Sequence, residues 1–272
     1  MIKTMMKHFL RPSCLSLLGI SLCLASASAQ DAATPSAADL ASQLGAAVQD
    51  GNSAARLRLK IESASGGEKT VLQVQIKARR SEGHAEVLYQ VLWPNDRKGE
   101  SFVLRQKRGQ SPEGHSFQPP ATLTKLDRSK MSGAVFGGDL AYQDVIENFF
   151  LWSKQAITGN EKVDRVDCVI LESKPGSGDS SPYSKVVSWI DLRKMVAMRV
   201  EKYDASGKVL RRIETTQVAK DDRGRHIPAG FIVHGAGGSS STEIDGSNIR
   251  HDVNYTDADF TTQALTNFSV PR

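Results

Sequence analysis

Past residue 29 the chain carries five histidines (His84, His115, His226, His234 and His251) and one cysteine, Cys168. These are the residue types on which most metal and nucleophile chemistry is built. None of the histidines stands in an H-E-x-x-H helix or beside a cysteine, the spacings that present ligands to zinc. His226 and His234 lie eight positions apart on one stretch, with Pro228 between them. No G-x-S-x-G elbow occurs, and Cys168 has no histidine near it in sequence to activate its thiol. No glycine motif of the phosphate-binding kind opens a helix, because Gly235 to Gly238 run into serines and a strand. Asp252, Asp257 and Asp259 lack calcium-loop spacing and fit the decoration of a strand end. No set of residues asks for catalysis, metal binding or a cofactor. Binding or carrying is the better expectation.

The pattern that does stand out is apolar. In Tyr142–Trp152 (YQDVIENFFLW) the residues Val145, Ile146, Phe149, Phe150 and Trp152 form one broad face of a helix, and Asp139 is placed to cap its start. Such a face either lines a ligand cavity or packs as ordinary core.

The elements around it are strands. Leu40, Leu44 and Val48 recur every four positions, which predicts a short helix over 38–48 ending at Gly51. From Arg56 the period becomes two: Leu57, Leu59, Ile61, then Leu72, Val74, Ile76, Ala78, then Ala85, Val87, Tyr89, Val91, Trp93 alternate with polar neighbours. That is the pattern of half-buried antiparallel strands. Further strands are expected over 102–107, 122–126 (a short edge piece after Pro119-Pro120), 166–173, 185–191, 196–204, 208–218, 227–234 and 249–255. Asp204-Ala205-Ser206-Gly207 and Asp221-Asp222-Arg223-Gly224 read as tight turns, and Gly235–Ser241 as a flexible tip. The fold class is mainly β, with ten or eleven strands at the spacing of a sandwich or barrel and two helices to cover it. The basic run Arg97, Lys98, Arg105, Lys107, Arg108 is interspersed with Asp96, Glu100 and Glu113, and reads as a solvated strand edge.

The first 29 residues read as an address. Lys3, Lys7 and Arg11 precede the apolar stretch Leu15–Leu24, and Ala27-Ser28-Ala29 supplies small residues for cleavage before Gln30. That order marks a secretory signal peptide. Its removal takes Lys+Arg from 35 to 32 against 30 Asp+Glu, a net of +2, which offers nothing for a nucleic-acid backbone. Cys14 and Cys23 leave with it, so Cys168 has no internal disulfide partner and is expected buried. The expected organisation is a signal peptide over 1–29, a linker and helix over 30–55, and one domain over 56–272.

Five segments, in order, resemble a known family. Gly137-Gly138-Asp139-Leu140-Ala141-Tyr142-Gln143-Asp144 is similar to the G-S-D-[FL]-[ST]-Y-x-D segment of LolA-like outer-membrane lipoprotein-sorting proteins. Cys168–Pro175, Tyr183–Asp191, Val200–Asp204 and the hairpin at Gly207-Lys208 follow. The resemblance spans residues 85–257. It implies a single curved antiparallel sheet of about eleven strands, forming an incomplete barrel with two or three helices as a lid over an apolar cavity. Asp139, Tyr142 and Asp144 would serve that fold by capping and positioning, and Phe149, Phe150, Trp152, Val145 and Ile146 would sit at the cavity. Gly138 stands where the family usually has Ser. No arginine is matched to the one that holds the family's carriers closed.

The function the resemblance implies is a periplasmic carrier for lipid or the acyl chains of lipoproteins. An inner-membrane exporter and an outer-membrane acceptor would be its partners, with no cofactor, no metal, no nucleic acid and no transmembrane span. A monomer is expected. The rival reading is an envelope interaction protein with a filled core. A hydrolase built from dispersed residues such as Cys168 and His226 is the third.

Overall fold

Among the described residues, fourteen strands form one antiparallel sheet that does not close on itself. The computed structural model describes residues 35–62, 66, 69–246 and 249–266. The expected signal peptide and most of the linker after it lie outside the described residues, as does the end of the expected domain past residue 266.

The chain enters through α1 (Ala37–Val48), capped by Ser36, whose side chain accepts the Asp39 N–H. Then β1 (Gly51–Glu62), β2 (Thr70–Ser81), β3 (His84–Trp93), β4 (Ser101–Lys107), β5 (Glu113–Gln118) and β6 (Thr122–Leu126) meander to one edge of the sheet. A loop with 3₁₀ turns at Arg128–Lys130 and Val135–Gly137 leads to α2 (Tyr142–Ile146) and a further 3₁₀ turn, Phe149–Leu151. The second meander is β7 (Lys154–Val163), β8 (Val166–Lys174), β9 (Lys185–Asp191), β10 (Val196–Tyr203), β11 (Val209–Lys220), β12 (His226–His234) and β13 (Ser241–Asp245). It joins the first where β13 pairs with β1, and the short β14 (Arg250–His251) pairs with the start of β1. A 3₁₀ turn, Asp257–Phe260, and α3 (Thr262–Thr266) finish the described chain.

The mainly β class and the unclosed sheet with few helices stand as expected; the count differs, fourteen strands against about eleven. The three that sequence reading passes over are β5, β7 and β13. Glu113–Gln118 and Lys154–Val163 hold few apolar residues, and β13 hides behind the glycine tip. Backbone pairing, not alternation of side chains, makes them strands. For the same reason β1 starts at Gly51 rather than Arg56: its small residues 51–55 pair with Ile76–Arg80 through the ladder alone. Conversely, the expected strand 249–255 shrinks to two residues. The basic run also moves. Arg105 and Lys107 lie on β4, inside the sheet between β3 and β5, and the edges are β6 and β7.

Both faces of the sheet are covered. On one, Ala78, Val87, Phe102 and Leu104 pack with Ile146 of α2 and with Met131 and Val135 of the preceding loop. Leu72, Val74, Val91, Val233 and Ile244 extend this core across the junction of the two meanders. Under α1 lie Val169, Leu171 and Ile190. The other face of β3 and β4 presents Leu88 and Val103 to Phe260 and Leu265 of the C-terminal segment. Cys168 is buried against Trp189 and Met198, as its strand position led us to expect.

Candidate functional site under the short helices

The expected helix over Tyr142–Trp152 is broken. α2 stops at Ile146, Glu147 is extended (φ −71°, ψ 132°), and the 3₁₀ turn takes over at Phe149. The apolar residues explain the break, because they serve three separate cores. Ile146 and Val145 pack on the Phe102 cluster. Phe149 and Trp152 join Tyr183, Val186 and Val200. Phe150 reaches the α1 cluster. A straight helix presents one stripe and cannot face all three. Val145 and Ile146 thus pack in a different cluster from Phe149, Phe150 and Trp152. Phe149 and Phe150 remain in ring contact, with centroids 4.4 Å apart.

Asp139 does not cap α2. Its carboxylate accepts the Ser240 and Thr242 hydroxyls, pinning the glycine loop to β13. The cap belongs to Asp144, which reaches back to the Ala141 N–H at 2.7 Å. Tyr142 packs edge-on against Phe102 with ring centroids 5.0 Å apart.

Asp144 is also the centre of a buried polar knot. Its side chain has no exposed surface, and that of Lys202 is 2% exposed. Lys202 Nζ lies 2.7 Å from Asp144 Oδ1, and the Tyr183 hydroxyl donates to the same oxygen at 2.6 Å. Arg211 Nε stands 3.8 Å from Oδ2. Lys202 and Arg211 are direct cross-strand partners on β10 and β11. Two like charges so placed repel, and Asp144, delivered by α2, sets one negative charge between them. Burial pushes the Asp144 carboxyl up, but Lys202, the Tyr183 hydroxyl and the Ala141 N–H together bring it below the ordinary carboxylate range. Tyr183 is driven the other way, upward, by burial and by the Asp144 charge. Asp144, Tyr183 and Lys202 come from three of the five sequence segments that resemble the family. Their meeting at one point is what only the fold supplies.

Glu147 sits at the break itself. Gln143 Nε2 donates to its Oε1 at 2.8 Å, and its Oε2 is buried without a hydrogen-bond partner. Burial pushes the Glu147 carboxyl up to about 7, against the pull of Lys202 and the nearby Ser181 hydroxyl. From the other side Arg80, on β2, donates to the Val145 carbonyl at 2.8 Å and the Ile146 carbonyl at 3.4 Å, the free end of α2. Burial lowers the Arg80 pKa. The signal for Arg80 was in the sequence. It continues the inward series Leu72, Val74, Ile76, Ala78, one period beyond the last apolar residue. Asn148 ties the break to α1 through the Gly45 carbonyl at 3.0 Å. The cleft between these groups, lined by Arg80, His84, Arg108, Glu147, Asn148 and Trp152, measures ≈ 70 Å³, room for a few water molecules.

Chemistry elsewhere is sparse. His226 and His234 occupy opposite ends of β12, roughly 26 Å apart at strand rise, and cannot share a metal. Asp221, Asp222 and His251 come within ligating reach of one another, but Arg225 lies 2.7 Å from Asp221 Oδ2, so the group is an ion network with its counter-charge in place. Asp252, Asp257 and Asp259 disperse to Arg223, Arg79 and Lys77. Arg105 and Arg79 close on the buried Glu86, and Arg97 pairs with Glu100, so two of the five cations of the basic run, Arg97 and Arg105, have close acidic partners.

The family model that matches residues 83–267 carries the description "Uncharacterized protein". Solved structures of the same architecture span nearly the whole described chain. A DUF1329 family protein from Desulfovibrio piger superposes with a TM-score of 0.77 at 23% identity, over 84% of this chain and 97% of its own. A putative outer membrane lipoprotein-sorting protein domain from Vibrio parahaemolyticus gives 0.74 at 20%, over 85% and 98%. A LolA superfamily protein from Nitrosomonas europaea gives 0.67 at 19%, over 85% and 100%. The chain belongs to the family of that model, and it shares its fold with these three solved structures. No curated protein matches it in sequence. α2 and the 3₁₀ turn pack over the sheet, and the Asp144 knot and Arg80 are polar contacts that hold them there. No helix among the described residues is long and apolar enough to cross a membrane.

Proposed function

We propose that this LolA-like chain is a non-catalytic periplasmic carrier for lipid or for the acyl chains of lipoproteins, and that residues 142–152 are its lid. The observation that carries the reading is how the lid is attached. It covers an apolar floor that includes Val186, Val200, Leu210 and Ile213. Yet polar contacts at Arg80 and Asp144 fix it there, and it breaks at Glu147 between them. Arg80 is our assignment for the closing arginine that the sequence left unmatched. Lifting the lid exposes apolar surface, and an acyl chain replaces what the lid covered. At about 0.8 kcal/mol per buried methylene, ten methylenes gross roughly 8 kcal/mol before ordering costs. The signal peptide reading supplies the compartment, and the exporter and acceptor implied by the family supply the partners.

One observation favours the rival, an envelope interaction protein with a filled core: the lid side chains are packed, and the ≈ 70 Å³ cleft holds no acyl chain as it stands. Native mass spectrometry of protein purified without detergent, with organic extraction, separates the two. Co-purifying lipid or acylated peptide near one per chain is the expected result. Nothing bound, even after incubation with acyl ligands, selects the filled core. Phe149→Asp should weaken acyl binding by about tenfold or more while the far-ultraviolet dichroism of the sheet is kept. Loss of the fold would make Phe149 plain core.

A further inference from the structure

We propose that Glu147 makes the break in the lid a proton-operated hinge, closed when its carboxyl is neutral and released when it ionises. This rests on the carrier reading and gives it a control. Four observations on geometry converge. Glu147 is the residue where helix geometry stops, between α2 and the 3₁₀ turn. Its side chain is buried with one oxygen bonded to Gln143 and the other without a hydrogen bond, the Ser181 hydroxyl being the nearby polar group. It shares the small cleft with the end of α2 and with Trp152. The backbone–backbone hydrogen bonds on either side of it are local and few: the Glu147 N–H to the Gln143 carbonyl, and the Leu151 and Trp152 N–H groups to Asn148 and Phe149; the other ties are side chains, Arg80, Asn148 and Gln155.

Charged groups surround Glu147 from several elements. From β10, Lys202 attracts a carboxylate, but Asp144 already holds it at 2.7 Å. From β11, Arg211 is turned to Asp144. From β2, Arg80 is committed to the Val145 and Ile146 carbonyls. His84, Arg108 and Asp179 line the same cleft, with Arg108 facing Glu82 and His84 facing Glu86. Asp144 on α2 itself opposes a second negative charge. The cations near Glu147 thus have other partners, and an ionised Glu147 is left buried with one unsatisfied oxygen.

The sign follows from linkage. Closed, the carboxyl titrates at about 7; lifted into water it returns to its ordinary 4.5. The closed lid therefore binds the extra proton. It is held fully below the open-state value and loses that hold as pH rises through 7. Between pH 5.5 and 8.5 the opening equilibrium should rise about 30-fold and level off above 7.

The test uses the mature chain with two readouts across that range. One is hydrogen exchange of the 147–152 amides, corrected for the intrinsic rate. The other is binding of N-phenyl-1-naphthylamine, a probe uncharged over the range. Wild type should lose protection about 30-fold and bind the probe more tightly as pH rises. Glu147→Gln, which mimics the neutral acid, should stay protected and flat. Exchange that is flat in wild type, or that titrates unchanged in Glu147→Gln, overturns the hinge, whether or not the probe binds. Exchange that titrates as expected while the probe binds at no pH keeps the hinge and removes the carrier reading. Should Glu147→Gln not fold, carbon-13 titration of the wild-type glutamate carboxyls decides, and a Glu147 midpoint near 4.5 rejects the proposal.

Discussion

Replacing Lys202 by Met is the sharpest test of the buried knot. The side chain lies on the inner face of β10, 2% exposed, with its ammonium 2.7 Å from an Asp144 carboxylate that has no surface at all. Removing it leaves Asp144 with the Tyr183 hydroxyl, the Ala141 N–H and a guanidinium 3.8 Å away. A buried charge stripped of one partner costs about 3–5 kcal/mol. For a domain of this size that lowers Tm by roughly 6–20 °C. The pH dependence should change sign as well. In the wild type Asp144 is held below its ordinary value, so the stability it contributes is present above that value and fades as pH falls through the depressed one. In Lys202→Met burial prevails, the Asp144 carboxyl rises, and the variant becomes relatively more stable toward acid. Adding Asp144→Leu to it removes both charges and should recover most of the loss, as replacing a whole buried pair usually does. Urea denaturation of the four proteins of this cycle, at pH 7 and at pH 5, measures the coupling. A Lys202→Met cost under about 1 kcal/mol with coupling under about 0.5 kcal/mol would refute the reasoning, since no exposed pair of such partners does more.

Two further outcomes follow from the same contacts. Arg80→Met removes both donors from the end of α2, and a hydrogen bond from a charged donor is worth about 1.5–3 kcal/mol. Exchange of the 142–147 amides should quicken roughly 10- to 100-fold, while global urea stability moves far less because a buried charge is relieved at the same time. Cys168 is buried and its thiol is pushed up by that burial. A thiol reagent at pH 8 should leave it unmodified in native protein and label it at once in denaturant. Fast native labelling would contradict its placement behind Trp189.

Alternation of apolar residues was enough to place most of the sheet, because a strand with one buried face must repeat with period two whatever its neighbours are. It was silent on β5, β7 and β13, where backbone partners hold residues that have no apolar rhythm of their own. The helical face of Tyr142–Trp152 was legible as apolar, but its period said nothing of how many cores lay beneath it, and three cores broke it at Glu147. Asp139 illustrates the same limit. A short acid before a helix reads as a cap, yet Thr242, 103 positions away, claims it instead.

The candidate site divides along that line. Local order along the chain determined that the protein is mainly β, that no catalytic set is spaced for chemistry, and that an Asp-bearing segment precedes a short apolar helix. These are properties of near neighbours, fixed by periodicity and turn chemistry. The tertiary structure alone decided that Asp144, Tyr183 and Lys202 share one buried point, that Arg80 faces inward to hold α2, and that one oxygen of Glu147 is buried without a hydrogen bond. Each of those depends on desolvation and on contacts between residues tens of positions apart, and burial is a property of the packed whole that no local window carries.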